Sequence, residues 1–275
     1  MLVDFKTIIT KADQDGYAVP AFNVYNMETA MGCIQAAEEK KSPIILQCYS
    51  RLFTTGNAEY LAPVLLHIAH TAGVPVCFHI DHGASEYETT RALRLGVTGV
   101  MIDASAKPFA ENVAITKRVV ETCACVGVQV EGELGHVGSV NDDTMDEFTE
   151  PEEARKYVEA TGVTALAVLV GNAHGRYKKP PKLDLQRVKD IYEAAKVPLV
   201  LHGGSGIPDD QMKLAIQNGI RKINFATDLC YTFLDAVFET SRSIIALDTF
   251  MKQPIEAVKQ FAISKINVTG SEGKA

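Results

Sequence analysis

Three histidines in this chain are each followed directly by glycine: His82-Gly83, His174-Gly175 and His202-Gly203. Each comes at or just past the end of a short apolar run, in Val76-Cys77-Phe78-His79-Ile80, Ala167-Val168-Leu169-Val170 and Val197-Pro198-Leu199-Val200-Leu201. Three imidazoles converging from separate segments leave one position of a tetrahedral ion open, as a catalytic zinc requires. The glycines let backbone approach a ligand closely. Asp81 precedes His82, and a carboxylate beside a metal-held substrate can take or return a proton. The competing reading makes Asp81 a partner that orients a metal histidine through its other ring nitrogen. His79, two residues earlier, reads as a core residue or a similar support. Asp103 and Glu133 end two further apolar runs and offer a second, carboxylate-containing metal position or support for the first. A histidine-rich donor set suits zinc, but also cobalt and other divalent ions.

Two more segments carry a pattern suited to anions. Gly203-Gly204-Ser205-Gly206 follows one apolar run, and Asn224-Phe225-Ala226-Thr227 ends another. Small residues there expose backbone N–H groups, and the hydroxyls of Ser205 and Thr227 add further donors; together they suit a phosphate.

Positioning all these groups takes many strands. Short β-branched runs at 18–23, 43–47, 76–80, 99–102, 128–132, 165–170, 199–201 and 221–225 read as buried parallel strands. Helical spacing fills the intervals at 26–40, 60–72, 87–95, 109–123, 151–161, 184–195 and 209–217. Eight strands alternating with helices predict a single (β/α)8 TIM barrel over residues 1–275, with the active site where the strands end. A doubly wound sheet is the alternative, but it does not bring the ends of strands three to eight around one centre. The stretch 135–150 is polar, rich in acids and without helical pattern before Pro151. It reads as a long loop of the kind that forms lids, or as a solvated acidic surface.

Composition agrees with a packed enzyme core. Hydrophobic residues make up 47% of the chain and the formal net charge is −7, which argues against a general nucleic-acid surface. The acidic start predicts no signal peptide, and no apolar run approaches the roughly 20 residues of a membrane helix. The six cysteines lack framework spacing and suit a reduced cytoplasm.

Read together, the chain resembles the class II, metal-dependent ketose-bisphosphate aldolases. The segments that carry the likeness occur in order: Tyr17-Ala18-Val19-Pro20-Ala21-Phe22-Asn23, Asp81-His82, Met101-Ile102-Asp103-Ala104-Ser105, Glu131-Gly132-Glu133-Leu134-Gly135 and Leu201-His202-Gly203-Gly204-Ser205-Gly206. The resemblance implies that His82, His174 and His202 hold one catalytic Zn2+, with a monovalent cation such as Na+ or K+ as a candidate additional ion. It implies that Asp81 exchanges the proton of the C4 hydroxyl, and that Asp103 and Glu133 form the alternative metal position. Gly175, Gly203, Gly204, Ser205, Asn224, Phe225, Ala226 and Thr227 would receive dihydroxyacetone phosphate. The implied partner is a small sugar phosphate, bound by a cytoplasmic homodimer or homotetramer.

Three departures shape the expected substrate. Asn141 stands in the register of the family's lid glutamate and cannot act as a base, so Asp142 or Asp143 is expected to replace it. Asp248 stands in about the register of an arginine that meets the distal phosphate, although Lys252 follows a turn later. After the second strand, Gln47-Cys48-Tyr49-Ser50-Arg51 replaces the usual small-residue turn. Arg51 and Arg176 are the candidates to meet the distal end of the sugar. The expected activity is reversible cleavage of a ketose 1-phosphate to dihydroxyacetone phosphate and an aldehyde. The alternatives are a fructose- or tagatose-1,6-bisphosphate aldolase proper, or a metal-dependent sugar-phosphate isomerase or epimerase. A catalytically silent subunit would have lost a metal ligand, and none is lost.

Overall fold

The computed structural model describes residues 1–140, 148–175, 177 and 181–275. Eight parallel strands pair in chain order and close on themselves: β1 (Val19–Asn23), β2 (Ile44–Tyr49), β3 (Val76–Gly83), β4 (Gly99–Ile102), β5 (Gln129–Leu134), β6 (Ala165–Val168), β7 (Leu199–Leu201) and β8 (Ile220–Phe225). The seam is a parallel β1–β8 ladder in which Ala21 faces Asn224. This is the expected (β/α)8 barrel. The strands are buried along almost their whole length, as their unbroken Val/Ile/Leu runs require when helices cover one face and the barrel interior the other.

The helices are α1 (Phe5–Asp15), α2 (Met27–Lys40), α3 (Ser50–Thr55), α4 (Asn57–Thr71), α5 (Glu86–Arg94), α6 (Phe109–Ala124), α7 (Pro151–Thr161), α8 (Leu185–Ala195), α9 (Asp209–Gln217), α10 (Thr227–Glu239), α11 (Leu247–Phe250) and α12 (Lys252–Thr269). Local signals set their ends. Asn26 and Thr29 form a reciprocal capping box at the start of α2, and α7 opens on Pro151 and stops at a left-handed Gly162, the favoured terminal residues.

Sequence reading assigns no element to residues 5–15, yet α1 closes the N-terminal end of the barrel. Asp4 caps it by accepting from the Thr7 N–H at 2.7 Å. Its buried face of Phe5, Ile8, Ile9 and Ala12 joins Val19, Ala21, Ile45, Cys77, Ala165, Ala167 and Val200 in one interior cluster. The opposite end is therefore the open one. All six cysteines are free, four of them buried. Among the described residues no helix is long and apolar enough to cross a membrane.

Candidate active site

Successive strand residues point to opposite faces, so Asp81 and His82 should not both face the barrel mouth. They do because β3 is irregular there. Its register against β4 shifts between Ile80 and Gly83, and His82 takes a left-handed φ of 50°, a conformation that costs energy in a non-glycine residue and clusters at functional sites. The His82 N–H points at the Met101 sulfur, 3.3 Å away. The sequence expectation ended this strand at residue 80; the strand runs on through both functional residues.

His82, His174 and His202 come together, with one ring nitrogen of each within 4.8 Å of the others. Nε2 of His82 and Nε2 of His174 are 3.2 Å apart, close to the about 3.4 Å between two nitrogen ligands of a tetrahedral zinc. In every ring the other nitrogen is occupied. His82 Nδ1 lies 2.8 Å from Asp103 Oδ2, His174 Nδ1 lies 2.8 Å from the Val137 carbonyl, and His202 Nε2 lies 2.9 Å from Glu131 Oε1. His202 Nδ1 and the neighbouring Glu133 Oε2 are buried without hydrogen-bond partners, 3.4 Å from each other. Buried polar atoms are normally satisfied; these two face a position that a cation would fill. His82, Asp103 and Glu133 form a second, overlapping group with the reach to hold an ion. The donor set thus fits a divalent metal.

Electrostatics point the same way. Burial disfavours a charged His82, but Asp81, Asp103 and Glu133 outweigh it and raise its pKa to about 10. Burial and the His82 charge lower His174 to about 4, and the same two causes put His202 well below the ordinary range. Burial and the Asp103 charge raise Glu133 to about 8. Burial opposes ionisation of Asp103, yet its hydrogen bond with His82 and the charge of that ring hold it well below the carboxylate range. A cation must displace the proton from His82, because only the neutral ring ligates. Because the surrounding carboxylates raise the His82 pKa to about 10, affinity for a cation held by this ring is expected to rise with pH through neutrality. Calorimetry of Zn2+ binding at pH 7, in buffers of differing ionisation enthalpy, should read net proton release, from His82 and from the protonated fraction of Glu133, with tighter binding at pH 8 than at pH 6. Affinity that stays flat between those pH values would contradict this account.

Asp81 is almost wholly buried, with Oδ1 4.0 Å from His82 Nε2. Two amides clamp it: Asn23 Nδ2 donates to Oδ2 at 2.7 Å and Asn224 Nδ2 to Oδ1 at 3.0 Å. Gln47 Nε2 donates in turn to Asn23 Oδ1 at 2.7 Å.

Asn23, Asp81, His82, His174 and Asn224 line a cavity of about 530 Å³ together with Tyr25, Tyr49, Ser50, Arg51, Asp103, His136, Gly175, Gly203, Ser205, Ala226 and Thr227, a volume suited to a small metabolite. Gly203 has φ 63°, and a Cβ there would overlap the Ala173 carbonyl. Glycine is what lets the His202 and His174 segments meet. Thr227 begins α10, so the positive end of that helix dipole lies at the cavity wall. Two expected residues are placed differently. Phe225 is fully buried against Phe22 and Phe261, because strand alternation turns Asn224 inward and Phe225 toward the helices. Gly204 spends its N–H on the Asn224 carbonyl and does not line the cavity. Asn141, Asp142, Asp143 and Arg176 lie outside the described residues. Asp248 sits exposed in α11. Sequence reasoning passed over Glu131, Lys222, Asn23 and His136. The available signal was period two: Glu131 shares a strand face with Glu133, and Lys222 with Asn224.

A closed barrel with a histidine cluster that could hold a metal ion and a clamped carboxylate at its open end is the architecture of a metal-dependent enzyme. The model of class-II fructose-bisphosphate aldolases matches residues 3–274. Among solved structures, the YdjI aldolase from Escherichia coli K12 superposes with a TM-score of 0.91 at 39% identity, over 100% of both chains. A Coccidioides immitis protein, provisionally assigned as a fructose-1,6-biphosphate aldolase, gives 0.91 at 27% identity over 98% of this chain and 96% of that one. The fructose-bisphosphate aldolase of Campylobacter jejuni shares the fold, with a TM-score of 0.84 at 21% identity over 100% and 97%. The chain belongs to the class-II fructose-bisphosphate aldolase family, whose members are lyases.

Proposed function

We propose that this protein is a metal-dependent aldolase that reversibly cleaves a ketose 1-phosphate to dihydroxyacetone phosphate and an aldehyde. The observation that carries this reading is the convergence of three imidazoles, each with its second nitrogen already hydrogen-bonded, beside a carboxylate held by two amides. When bound by His82, His174 and His202, a divalent cation such as Zn2+ supplies the positive charge that stabilises the carbanion developing next to the C2 carbonyl.

The chain's own residues do the rest. Asp81 takes the proton of the C4 hydroxyl as the C3–C4 bond breaks, and returns it to the aldehyde oxygen in condensation. Asn23 and Asn224 hold its carboxylate so that this oxygen is already in place. Gly175, Gly203, Ser205, Ala226 and Thr227 receive the C1 phosphate, helped by the N-terminus of α10. A carboxylate at Asp142 or Asp143 exchanges the proton at C3. Burial of His202 and Asp81 limits the water that can compete for the carbanion.

The distal end of the substrate is set by charge. Arg51 lies on the cavity wall, with its guanidinium 5.7 Å from the Tyr49 ring centroid. Opposite charge is what an anionic tail needs, and a second phosphate normally calls for more than one such partner. We therefore read the preferred substrate as a ketose with one phosphate, at C1, and a distal end that is neutral or a carboxylate.

Release of dihydroxyacetone phosphate, followed with a coupled dehydrogenase, tests the reaction. Interconversion of sugars without triose release would instead make the protein an isomerase or epimerase. Comparing ketose 1-phosphates with fructose and tagatose 1,6-bisphosphates tests the substrate. The monophosphates should show the higher kcat/KM, and Arg51→Ala should raise KM for those with an anionic tail. A bisphosphate value of about 10⁵ M⁻¹s⁻¹ or more, ordinary for a cognate substrate, would overturn the single-phosphate reading.

A further inference from the structure

Beneath the three histidines the barrel interior holds a charge pair sealed from solvent. Lys222 reaches across from β8 to Glu131 on β5, with Nζ 2.8 Å from Oε2 and both side chains at 0% exposure. Burying two charges rarely stabilises a fold better than apolar residues of the same volume, so stability alone is a poor reason for this pair.

Its geometry offers a better one. Glu131 divides its oxygens: Oε2 accepts from Lys222, and Oε1 lies 2.9 Å from His202 Nε2. An ionised carboxylate only accepts, so the hydrogen in that contact belongs to Nε2. His202 Nδ1 is then left with its lone pair, and it is the atom buried without a partner. At His82 and His174 the assignment is reversed, with Nδ1 engaged and Nε2 turned to the shared position. Without something to impose it, His202 has no reason to adopt the opposite tautomer. His79 flanks Glu131 on another side, but its Nε2 stays 3.7 Å from Oε2, beyond a hydrogen bond. Among the described residues, Lys222 is the donor that holds that oxygen.

We propose that Glu131 and Lys222 are positioning residues for His202: the ammonium pins the carboxylate, and the carboxylate fixes the ring plane and tautomer that make Nδ1 a metal donor. This rests on the metal-binding reading given above.

Four proteins test it: wild type, Glu131→Gln, Lys222→Met and the double variant. Each is measured for Zn2+ affinity by competition with a chromophoric chelator, for visible absorption after loading with Co2+, and for Tm in excess chelator. An amide can present either a donor or an acceptor to His202, so the Glu131→Gln side chain no longer selects a tautomer. Both single variants should bind Zn2+ roughly 10–100-fold more weakly, the usual effect of losing such a support, with altered cobalt absorption. The double variant carries no unpaired buried charge, so its Tm in chelator should recover relative to the singles while its Zn2+ affinity stays low. Wild-type affinity and absorption in the single variants would overturn the proposal. So would affinity that recovers together with Tm in the double variant, which would make the pair purely structural. Wild-type protein that binds neither ion would overturn the metal-binding reading itself, a different failure.

Discussion

Asp81→Ala is expected to keep its metal and its fold but lose roughly 10²–10⁴-fold in kcat for cleavage, the usual worth of one acid/base group. The carboxylate touches no other side-chain donor than Asn23 and Asn224 among the described residues, so its loss leaves the three imidazoles with all their own partners. Truncation also frees two buried amides, and Asp81→Asn, which keeps the volume, controls for that. Steady-state cleavage, metal content and hydrogen exchange into dihydroxyacetone phosphate separate the possible roles. Exchange draws on a different base and should survive better than cleavage. If metal content, exchange and cleavage all fall together, Asp81 is a support for His82 and not the group that handles the C4 proton.

Removing the metal should have the larger effect on rate. Dialysis against a strong chelator is expected to abolish cleavage, and stoichiometric Zn2+ to restore it. A second readout does not depend on turnover. A ligand that binds only the folded chain adds about 2.7 kcal/mol at one hundred times its dissociation constant, which for a chain of this size corresponds to a Tm rise on the order of 5 °C. The cation also relieves the unpartnered His202 Nδ1 and Glu133 Oε2. Full activity in protein shown to be metal-free by elemental analysis would refute the role assigned to the histidines.

The sequence was most legible where one residue type has one use. Buried parallel strands need short, unbroken apolar runs, and all eight were found at close to their true positions, with β4 and β7 matching at both ends. The His-Gly pairs lie at the end of β3 and in the segments that follow β6 and β7, and their imidazoles meet. Less legible was anything that depends on the third dimension. The helix α1 has an ordinary amphipathic pattern, and nothing local says that it folds under a barrel. Glu131 and Lys222 look like surface charges in the text of the chain, because burial of a charge is decided by a partner 91 residues away. Phe225 sits within a segment of small polar residues but belongs to the outer core. His82 could not be assigned an orientation from alternation, since its positive φ breaks the rule on which that assignment depends.

The helix under the barrel also has a consequence in time. Although α1 is among the first parts of the chain to be synthesised, the strands it rests on are β1, β3, β5 and β8, and the last of these ends at residue 225. Its apolar face has no complete seat until the ring has closed, so late docking of α1 is the expected order, and protection of the amides of residues 5–15 in pulse-labelled refolding checks it. In that order the Lys222 ammonium and the Glu131 carboxylate would stay hydrated until the floor is in place, and the cost of drying them would fall on the last step of assembly. The floor thus works as a stopper fitted after the vessel is made, and the lifetime of the Lys222 ammonium protons against exchange with water is the natural clock for how often it lifts.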